Sequence, residues 1–158
     1  MRYAHDELGL TTPVVAYHGA VVTDLRSGSV LHHEPVQLGV ARRVLEILQR
    51  HHPNVNVHVE TMEGGKDAWH VDRLDDRVRT FVEKYNTVPP DTVGEIQRLL
   101  RDETLMISRL WFRAPTDVMT IIKDQLLSEL GSEIETLAFD DVSLTVMTTG
   151  VTKATAIA

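Results

Sequence analysis

Apolar residues recur at helical spacing in two long segments of the chain, residues 37–51 and 116–130. In both segments the apolar side chains form one stripe and polar residues occupy the other side, which predicts two amphipathic helices. The stripes consist of Leu38, Ala41, Leu45 and Leu48 in the first segment and Met119, Ile122 and Leu126 in the second. Pro53 cannot continue the first helix, and Gly131 is suited to cap the second.

Strict alternation of apolar and polar residues predicts a strand at residues 55–60, VNVHVE. Its valines share one face and its polar residues share the other, as in a half-buried strand. Other β-branched or apolar runs predict strands at residues 14–22, 68–72, 105–112, 134–137 and 142–146. Ser27-Gly28 and Asp140-Asp141 are turn sequences, so we expect a hairpin at each.

Shorter helical patterns complete the order of elements. Residues 75–85 and 95–101 fit helices, residues 3–8 fit the end of a helix capped by Gly9, and Thr152 fits the start of another. Strands outnumber a regular alternation of strand and helix. We therefore expect an α+β fold, a mixed, largely antiparallel sheet with helices packed on one face.

Composition narrows the classes of function. The chain has 158 residues, enough for one domain, and a formal net charge of −7 at pH 7. An acidic chain without a dense basic run is not expected to bind nucleic acid. The sequence has no apolar run long enough to span a membrane, no signal-peptide pattern and no cysteine. We expect a cytoplasmic protein without a membrane partner.

The segment GVTKATAIA, residues 150–158, is the first candidate for chemistry. If Thr152 caps a helix, free backbone N–H groups there can bind an anion. Lys153 would then oppose the helix dipole, and a bound phosphate or carboxylate would offset that conflict. The alternative is an exposed lysine in water, which costs little.

The segment AYHGA, residues 16–20, is the second candidate. Gly19 after a strand indicates either a close backbone approach or a strained turn. His18 beside it could bind a ligand or carry a proton. The alternative is a histidine that simply packs beside a bulge.

A third pattern places a histidine and an acid two residues apart on each of two strands. These are His58 with Glu60 and His70 with Asp72. If the strands pair, the four side chains could converge on a metal ion. The alternative is the solvated face of a sheet, where polar residues alternate in the same way.

Taken together, these stretches resemble Cof-type hydrolases of the haloacid dehalogenase superfamily. TPVVAYHGAVVTDLRSGSV resembles a family segment that reads roughly P-x-I-x-x-N-G-A and continues into a hairpin. SLTVMTTGVTKATAIA resembles the later segment L-E-I-x-x-x-G-V-x-K-x-x-A-L. The resemblance covers nearly the whole chain. It implies that residues 36–147 form the large cap (substrate-specificity) domain and that residues 1–35 and 148–158 are flanking segments of an incomplete hydrolase core.

The resemblance also implies site residues. Lys153 falls on the family's lysine, which contacts the phosphate and the nucleophile, so it is the candidate catalytic residue. Gly19 falls on the glycine of N-G-A and His18 stands at its asparagine, so both are candidates for substrate binding. Thr145 stands where the family usually has glutamate, and Ala154 where it often has glycine.

The family consists mostly of Mg²⁺-dependent phosphatases that act on sugar phosphates and similar small phosphorylated metabolites. Their nucleophilic aspartate lies in a D-x-D-G-T motif and their metal site includes a G-D-x-x-N-D motif. Neither motif occurs in this sequence. We therefore expect a chain that supplies the cap, binds no metal itself and is inactive alone.

Both ends of the sequence look like interrupted helices, which favours a missing neighbouring domain over frayed tails. A competing hypothesis is a non-catalytic binding module that forms a homodimer through exposed strand edges.

Overall fold

The structure is a computed structural model that describes residue 5 and residues 7–63, 66–85, 87–92, 94 and 96–157. In this part of the chain the strands are β1 (Val14–Ala16), β2 (Val21–Asp24), β3 (Ser29–His33), β4 (Val57–Glu63), β5 (Lys66–Val71), β6 (Asp91–Thr92), β7 (Ile107–Arg113), β8 (Ile134–Asp140) and β9 (Ser143–Thr148). The helices are α1 (Leu38–His51), α2 (Asp76–Tyr85), α3 (Ile96–Leu99) and α4 (Thr116–Leu130), with short 3-10 turns at Tyr17–Gly19, Gly131–Glu133 and Thr155–Ile157.

Six strands form the main sheet in the order β6-β5-β4-β7-β9-β8. Its pairs are antiparallel except for β5 with the two-residue β6, which run parallel. The predicted hairpin at Asp140-Asp141 joins β8 to β9, where the Asp140 carboxylate accepts hydrogen bonds from the Val142 N–H and the Ser143 hydroxyl. The α+β class and the mixed, largely antiparallel sheet are confirmed.

One side of the main sheet, the helix face, carries the apolar core. Alternation along the strands places Val57, Val59, Leu110, Phe112, Leu144 and Val146 on this side, where α1, α3 and α4 pack against them. Both stripes predicted from the sequence lie in this core, and α4 has the predicted bounds. Burial of this apolar surface is the main favourable contribution to folding.

The other side, the site face, carries His58 and Glu60 of β4, Arg109, Trp111 and Arg113 of β7, and Thr145 of β9. It also receives a helix, because Phe81 of α2 lies 5.8 Å from Trp69 and 5.7 Å from Trp111, measured between ring centroids. Asp75 caps α2 by accepting a hydrogen bond from the Val78 N–H at 2.9 Å. α2 therefore packs on the site face, on the opposite side of the main sheet from α1, α3 and α4.

β1, β2 and β3 form a second, small sheet. The prediction of a single strand over residues 14–22 is wrong, because this run contains β1 and the start of β2. A 3-10 turn at Tyr17–Gly19 interrupts that run, and β1 folds back antiparallel on β2. The predicted hairpin at Ser27-Gly28 is confirmed, and Gly28 has a φ of +73° there. The small sheet packs on the main sheet through a cluster that includes Val21 and Met62.

Helices were predicted at residues 3–8 and from Thr152, and the structure bears on the two predictions differently. Gly9 has the positive φ expected of a helix cap, +60°, although Tyr3 and several other residues of the predicted 3–8 helix lie outside the described residues. The helix predicted from Thr152 is instead a turn followed by the 3-10 turn at Thr155–Ile157. The Thr155 hydroxyl donates to the Gly150 and Thr152 carbonyls, and such local bonds compete with a helix.

No helix in the described part of the chain has the length and apolar character needed to cross a membrane.

Candidate functional site

Gly19 brings two distant parts of the chain into backbone contact. A Cβ atom at this position would lie 2.3 Å from both the carbonyl carbon and the oxygen of Thr152, and 2.8 Å from the Lys153 nitrogen. Gly19 also has a φ of +119°, which side chains with L chirality rarely adopt. Only glycine satisfies both conditions, so the close approach expected from the sequence is present and joins residues 16–20 to residues 150–153.

The two residues before Gly19 are held in an unusual backbone conformation. Tyr17 and His18 have φ values of +49° and +58°, in the left-handed region. A bulky residue in this region costs free energy and persists only when its surroundings impose it. Here the imposed turn directs both side chains toward the site face of the main sheet, where each contacts a residue of that sheet.

His18 contacts a charged network on the site face. Arg109 Nη1 donates to His18 Nε2 at 3.2 Å, while Arg109 Nε and Nη2 donate to the two Glu60 carboxylate oxygens at 2.5 and 2.9 Å. Trp111 Nε1 donates to the same carboxylate at 3.0 Å. Glu60 thus fixes Arg109 through a bidentate pair, and Arg109 in turn fixes His18.

Burial and positive neighbours set the charge of His18. Desolvation, then Arg109, then Lys153 lower the pKa of His18 below its ordinary value. The hydrogen bond from Arg109 requires an acceptor at Nε2, which agrees with a neutral ring. Lys153 itself is exposed, and its backbone nitrogen lies beside Gly19, the residue next to His18.

Tyr17 forms a second contact between the small sheet and the main sheet. Its hydroxyl donates to Asp67 at 3.1 Å, and the Arg109 guanidinium lies 5.5 Å from the centre of its ring. Burial, followed by the charges of Glu60 and Asp67, raises the pKa of Tyr17, so its hydroxyl stays protonated and remains a donor.

A cavity of about 260 Å³ opens beside His18 on the site face. Arg109, Trp111 and Arg113 of β7 line one wall, and Thr145 of β9 lines another. His18 and Thr145, which both depart from the family's pattern, therefore lie on the same cavity. A second cavity of about 450 Å³ continues from the first, since both are lined by Phe81, Arg113 and Asp140.

Under this cavity His58 packs against two tryptophan rings, which also lie 5.8 Å from each other. Its ring centroid is 3.7 Å from that of Trp111 and 5.6 Å from that of Trp69, and Trp69 Nε1 donates to His58 Nδ1 at 3.0 Å. Burial lowers the pKa of His58 to about 3. His58 is thus a neutral part of an aromatic stack that supports Trp111.

The metal site considered from His58, Glu60, His70 and Asp72 is not formed. Their strands do pair, but His70 lies opposite Val59, so it points to the helix face and bonds Thr61, while His58 and Glu60 point to the site face. The Asp72 carboxylate binds the Ile96 N–H. Among the described residues no group of three or more His, Asp or Glu side chains could hold a metal ion. The His, Asp and Glu side chains of the described residues therefore do not fit a Mg²⁺ site.

The structure thus brings together the candidates His18, Gly19 and Lys153 with Glu60, which the sequence analysis considered only as a metal ligand, and with residues that it did not single out. These are Tyr17, Arg109, Trp111 and Arg113. A signal for two of them was present, because Arg109 and Trp111 alternate with Leu110 and Phe112 along the strand predicted over residues 105–112, and Arg113 follows that strand directly.

Solved structures show the same fold. TM0651 from Thermotoga maritima superposes with a TM-score of 0.76 at 16% identity, over 97% of this chain and 54% of that protein. A haloacid dehalogenase-like hydrolase from Bacteroides thetaiotaomicron gives 0.79 at 14% identity, over 98% of this chain and 56% of that one. A third, the subclass IIB sugar phosphatase BT4131, gives 0.70 at 10% identity, over 98% and 54%. The chain spans about half the length of each of these proteins.

A search of curated proteins found no match. The model of the haloacid dehalogenase-like hydrolase family, in contrast, matches residues 1–158. Enzymes of that family generally use Mg²⁺ and include phosphatases that act on small phosphorylated substrates. The match spans the whole sequence, and the chain belongs to the haloacid dehalogenase-like hydrolase family.

Proposed function

We propose that this chain is the substrate-specificity part of a Cof-like phosphatase that acts on a sugar phosphate or a similar small phosphorylated metabolite. Residues 36–147 are the cap, and residues 1–35 and 148–158 belong to the hydrolase core. The observation that carries the proposal is the contact of Gly19 with Thr152 and Lys153, which joins the backbone of Lys153 to the turn whose His18 lines a cavity on the site face. The small sheet and the main sheet lie on either side of the proposed boundary at residue 35.

In this proposal Lys153 faces the phosphate. Its ammonium group is exposed, and it lies near a neutral His18 rather than in an ion pair that the structure describes. A lysine so placed can neutralise charge on a phosphoryl group through electrostatic attraction. Gly19 sets the distance between the two backbone segments, and His18 orients toward the leaving group.

The cap selects the leaving group in the same proposal. Residues of β7 and β9 line the cavity, and Phe81 of α2 closes part of it, so a bound ester would lie on the site face of the main sheet, between His18 and α2. A cover of this kind excludes water from the reacting phosphate and discriminates between substrates by shape and charge.

Activity assays and phosphate binding test this proposal together. The chain lacks the D-x-D-G-T and G-D-x-x-N-D motifs, so we expect no turnover of 4-nitrophenyl phosphate with Mg²⁺ above background. Binding of inorganic phosphate, followed by calorimetry, should weaken at least about fivefold in Lys153→Gln, a loss of about 1 kcal/mol. The matched control is Lys123→Gln on α4, which should bind as the parent chain does. Turnover above background, or equal phosphate binding in both variants, would contradict the proposal.

A second candidate function is a binding module that forms a homodimer. It is favoured by β8, which ends the strand order of the main sheet and exposes 41% of Leu137 and 80% of Phe139. An open edge of this kind can pair with another strand. Sedimentation at several concentrations separates the candidates, because a module of this class is a tight dimer and the cap of a phosphatase need not be.

We propose a cytoplasmic location, because the sequence contains no cysteine and disulfide bonds are rare in cytoplasmic proteins.

A further inference from the structure

Apart from the Ser143 and Thr145 hydroxyls, the side chains that line the cavity on the site face have few hydrogen-bond acceptors left for a ligand. Glu60 accepts from Arg109 and Trp111 through its carboxylate. Asp140 accepts from Ser143 and Val142 at one oxygen and from Arg113 at the other. A polyhydroxylated leaving group needs acceptors for its hydroxyl protons, because buried unpaired hydroxyls are costly. The lining is therefore poorly matched to a sugar.

Aromatic rings take the place that acceptors would occupy. Phe81, Trp111 and Phe139 all line the cavity of about 260 Å³. Trp111 is fixed by Glu60 and by its stack on His58, while Phe139 is 80% exposed at the rim. An exposed phenyl group beside a fixed aromatic wall favours a flat ligand that can stack against it.

Cations outnumber carboxylates along the cleft formed by the two cavities. The lining includes Arg77, Lys84, Arg109 and Arg113, against Asp76 and Asp140. This excess stands out on a chain whose formal net charge is −7. Arg77 and Lys84 line only the second cavity, which His18 does not line, and Arg113 lines both, so these three are placed for a negative charge other than the one at Lys153.

Building on the proposed function, we propose that the cleft accepts a phosphate monoester whose leaving group contains a planar aromatic ring and a second anionic group. The phosphate lies toward Lys153, the ring lies between Phe139 and Phe81, and the second anion lies toward Arg113 and the larger cavity. Guanidinium groups bind carboxylates and phosphates through paired N–H donors, which suits Arg113 to this role.

Four probes separate the features of this ligand: inorganic phosphate, glucose 6-phosphate, phenyl phosphate and 4-carboxyphenyl phosphate. Their binding to the 158-residue chain is measured by calorimetry and by the fluorescence of Trp111 in a Trp69→Phe variant. We expect 4-carboxyphenyl phosphate to bind at least about tenfold more tightly than phenyl phosphate, and phenyl phosphate more tightly than glucose 6-phosphate. Equal or tighter binding of glucose 6-phosphate would overturn the inference.

Variants locate the effect. Arg113→Gln should remove the preference for the carboxylated probe and leave the affinity for phenyl phosphate within about twofold, whereas Arg50→Gln on α1 should change neither. Phe139→Ala should weaken both aromatic probes at least about threefold, and Ile121→Ala, an exposed apolar control on α4, should not. A preference that survives Arg113→Gln, or aromatic binding that survives Phe139→Ala, contradicts the assignment.

The two proposals fail in different ways. If inorganic phosphate binds through Lys153 but the four probes show no preference for a ring and a second anion, the inference is wrong and the proposed function stands. If none of the probes, inorganic phosphate included, binds at millimolar concentration, both are contradicted.

Discussion

The two faces of the main sheet are built from alternate residues of the same strands, yet different forces hold them. On the helix face, Val59, Leu110 and Phe112 are fully buried in an apolar cluster that depends on volume and burial. On the site face, Glu60 accepts hydrogen bonds from Arg109 and Trp111, and each contact depends on direction. The comparison teaches that one face stabilises the fold while the other shapes the site, and substitutions can separate the two.

The largest effect is expected on the helix face. Phe112→Ala removes a fully buried ring and leaves a cavity, so the free energy of unfolding should fall by about 3–5 kcal/mol. Phe139→Ala removes the same atoms from the rim of the site face, where 80% of the residue is exposed, and should cost less than about 0.5 kcal/mol. Urea unfolding measures both. Similar losses in the two variants would break the distinction between the faces.

The next effect concerns pH and the stack on the site face. The pKa of His58 is about 3 in the fold against 6.5 for the free side chain, so acid protonates the unfolded chain first. The contribution of His58 to stability is complete above pH 6.5 and is lost as the pH falls toward 3. At pH 5 the free energy of unfolding should therefore be about 2 kcal/mol lower than at a pH well above 6.5.

Urea unfolding at pH 7.5 and pH 5 measures this loss. His58→Gln keeps an acceptor for Trp69 but has no proton to gain, so its stability should fall less between the two pH values than that of the parent chain. The difference between the two slopes is the test, because every other ionisable group is shared by the two proteins. Parallel slopes would show that His58 is not buried as a neutral ring.

An effect of similar size is expected at the contact of Gly19 with Thr152. In Gly19→Ala the new Cβ would overlap the Thr152 carbonyl and the residue would have to keep a φ of +119°. Such strain is typically about 1–3 kcal/mol. Because the backbone must move to relieve it, phosphate binding should fall with stability. Gly28→Ala is the matched control, since it also has a positive φ but meets no atom within 4 Å.

The smallest effect should come from the contact between Tyr17 and Asp67. Tyr17→Phe removes one partly exposed hydrogen bond, worth about 0.5–1.5 kcal/mol or less, and leaves the ring under the Arg109 guanidinium. Thermal unfolding should shift by a few degrees at most. A larger shift would show that this hydrogen bond, rather than the apolar cluster around Val21 and Met62, holds the two sheets together.

The sequence predicted the helix face well because its signal is local and periodic. The bounds of α4 follow from one stripe and one glycine, and the hairpin turns follow from short sequences that favour them. The turn at Tyr17–Gly19 was predicted only as one alternative at Gly19, because residues 14–22 are rich in β-branched residues and nothing nearby encodes a positive φ at Tyr17. Contact with Thr152 imposes that turn.

The prediction of the site was also limited by contacts between residues far apart in the sequence, in this case the pairing of strands. The sequence shows that His58 and His70 each lie in an alternating strand, but only the register shows that they point to opposite faces. The ion pair between Glu60 and Arg109 likewise forms because β4 and β7 are neighbours in the sheet, which the sequence alone does not show. Local sequence features singled out Lys153, Gly19 and His18, and the resemblance to a family then gave them roles, since no periodic pattern distinguishes them.

The contact of Gly19 with Thr152 has a consequence for how the protein is made. During translation Gly19 leaves the ribosome long before Thr152, and the entire main sheet is synthesised between them. Until residue 152 emerges, the nascent small sheet lacks the surface that covers it, and the cost of closing so long a loop is repaid only once the main sheet has folded. Ribosome-bound chains that stall before this point should therefore be bound by chaperones more readily than released ones.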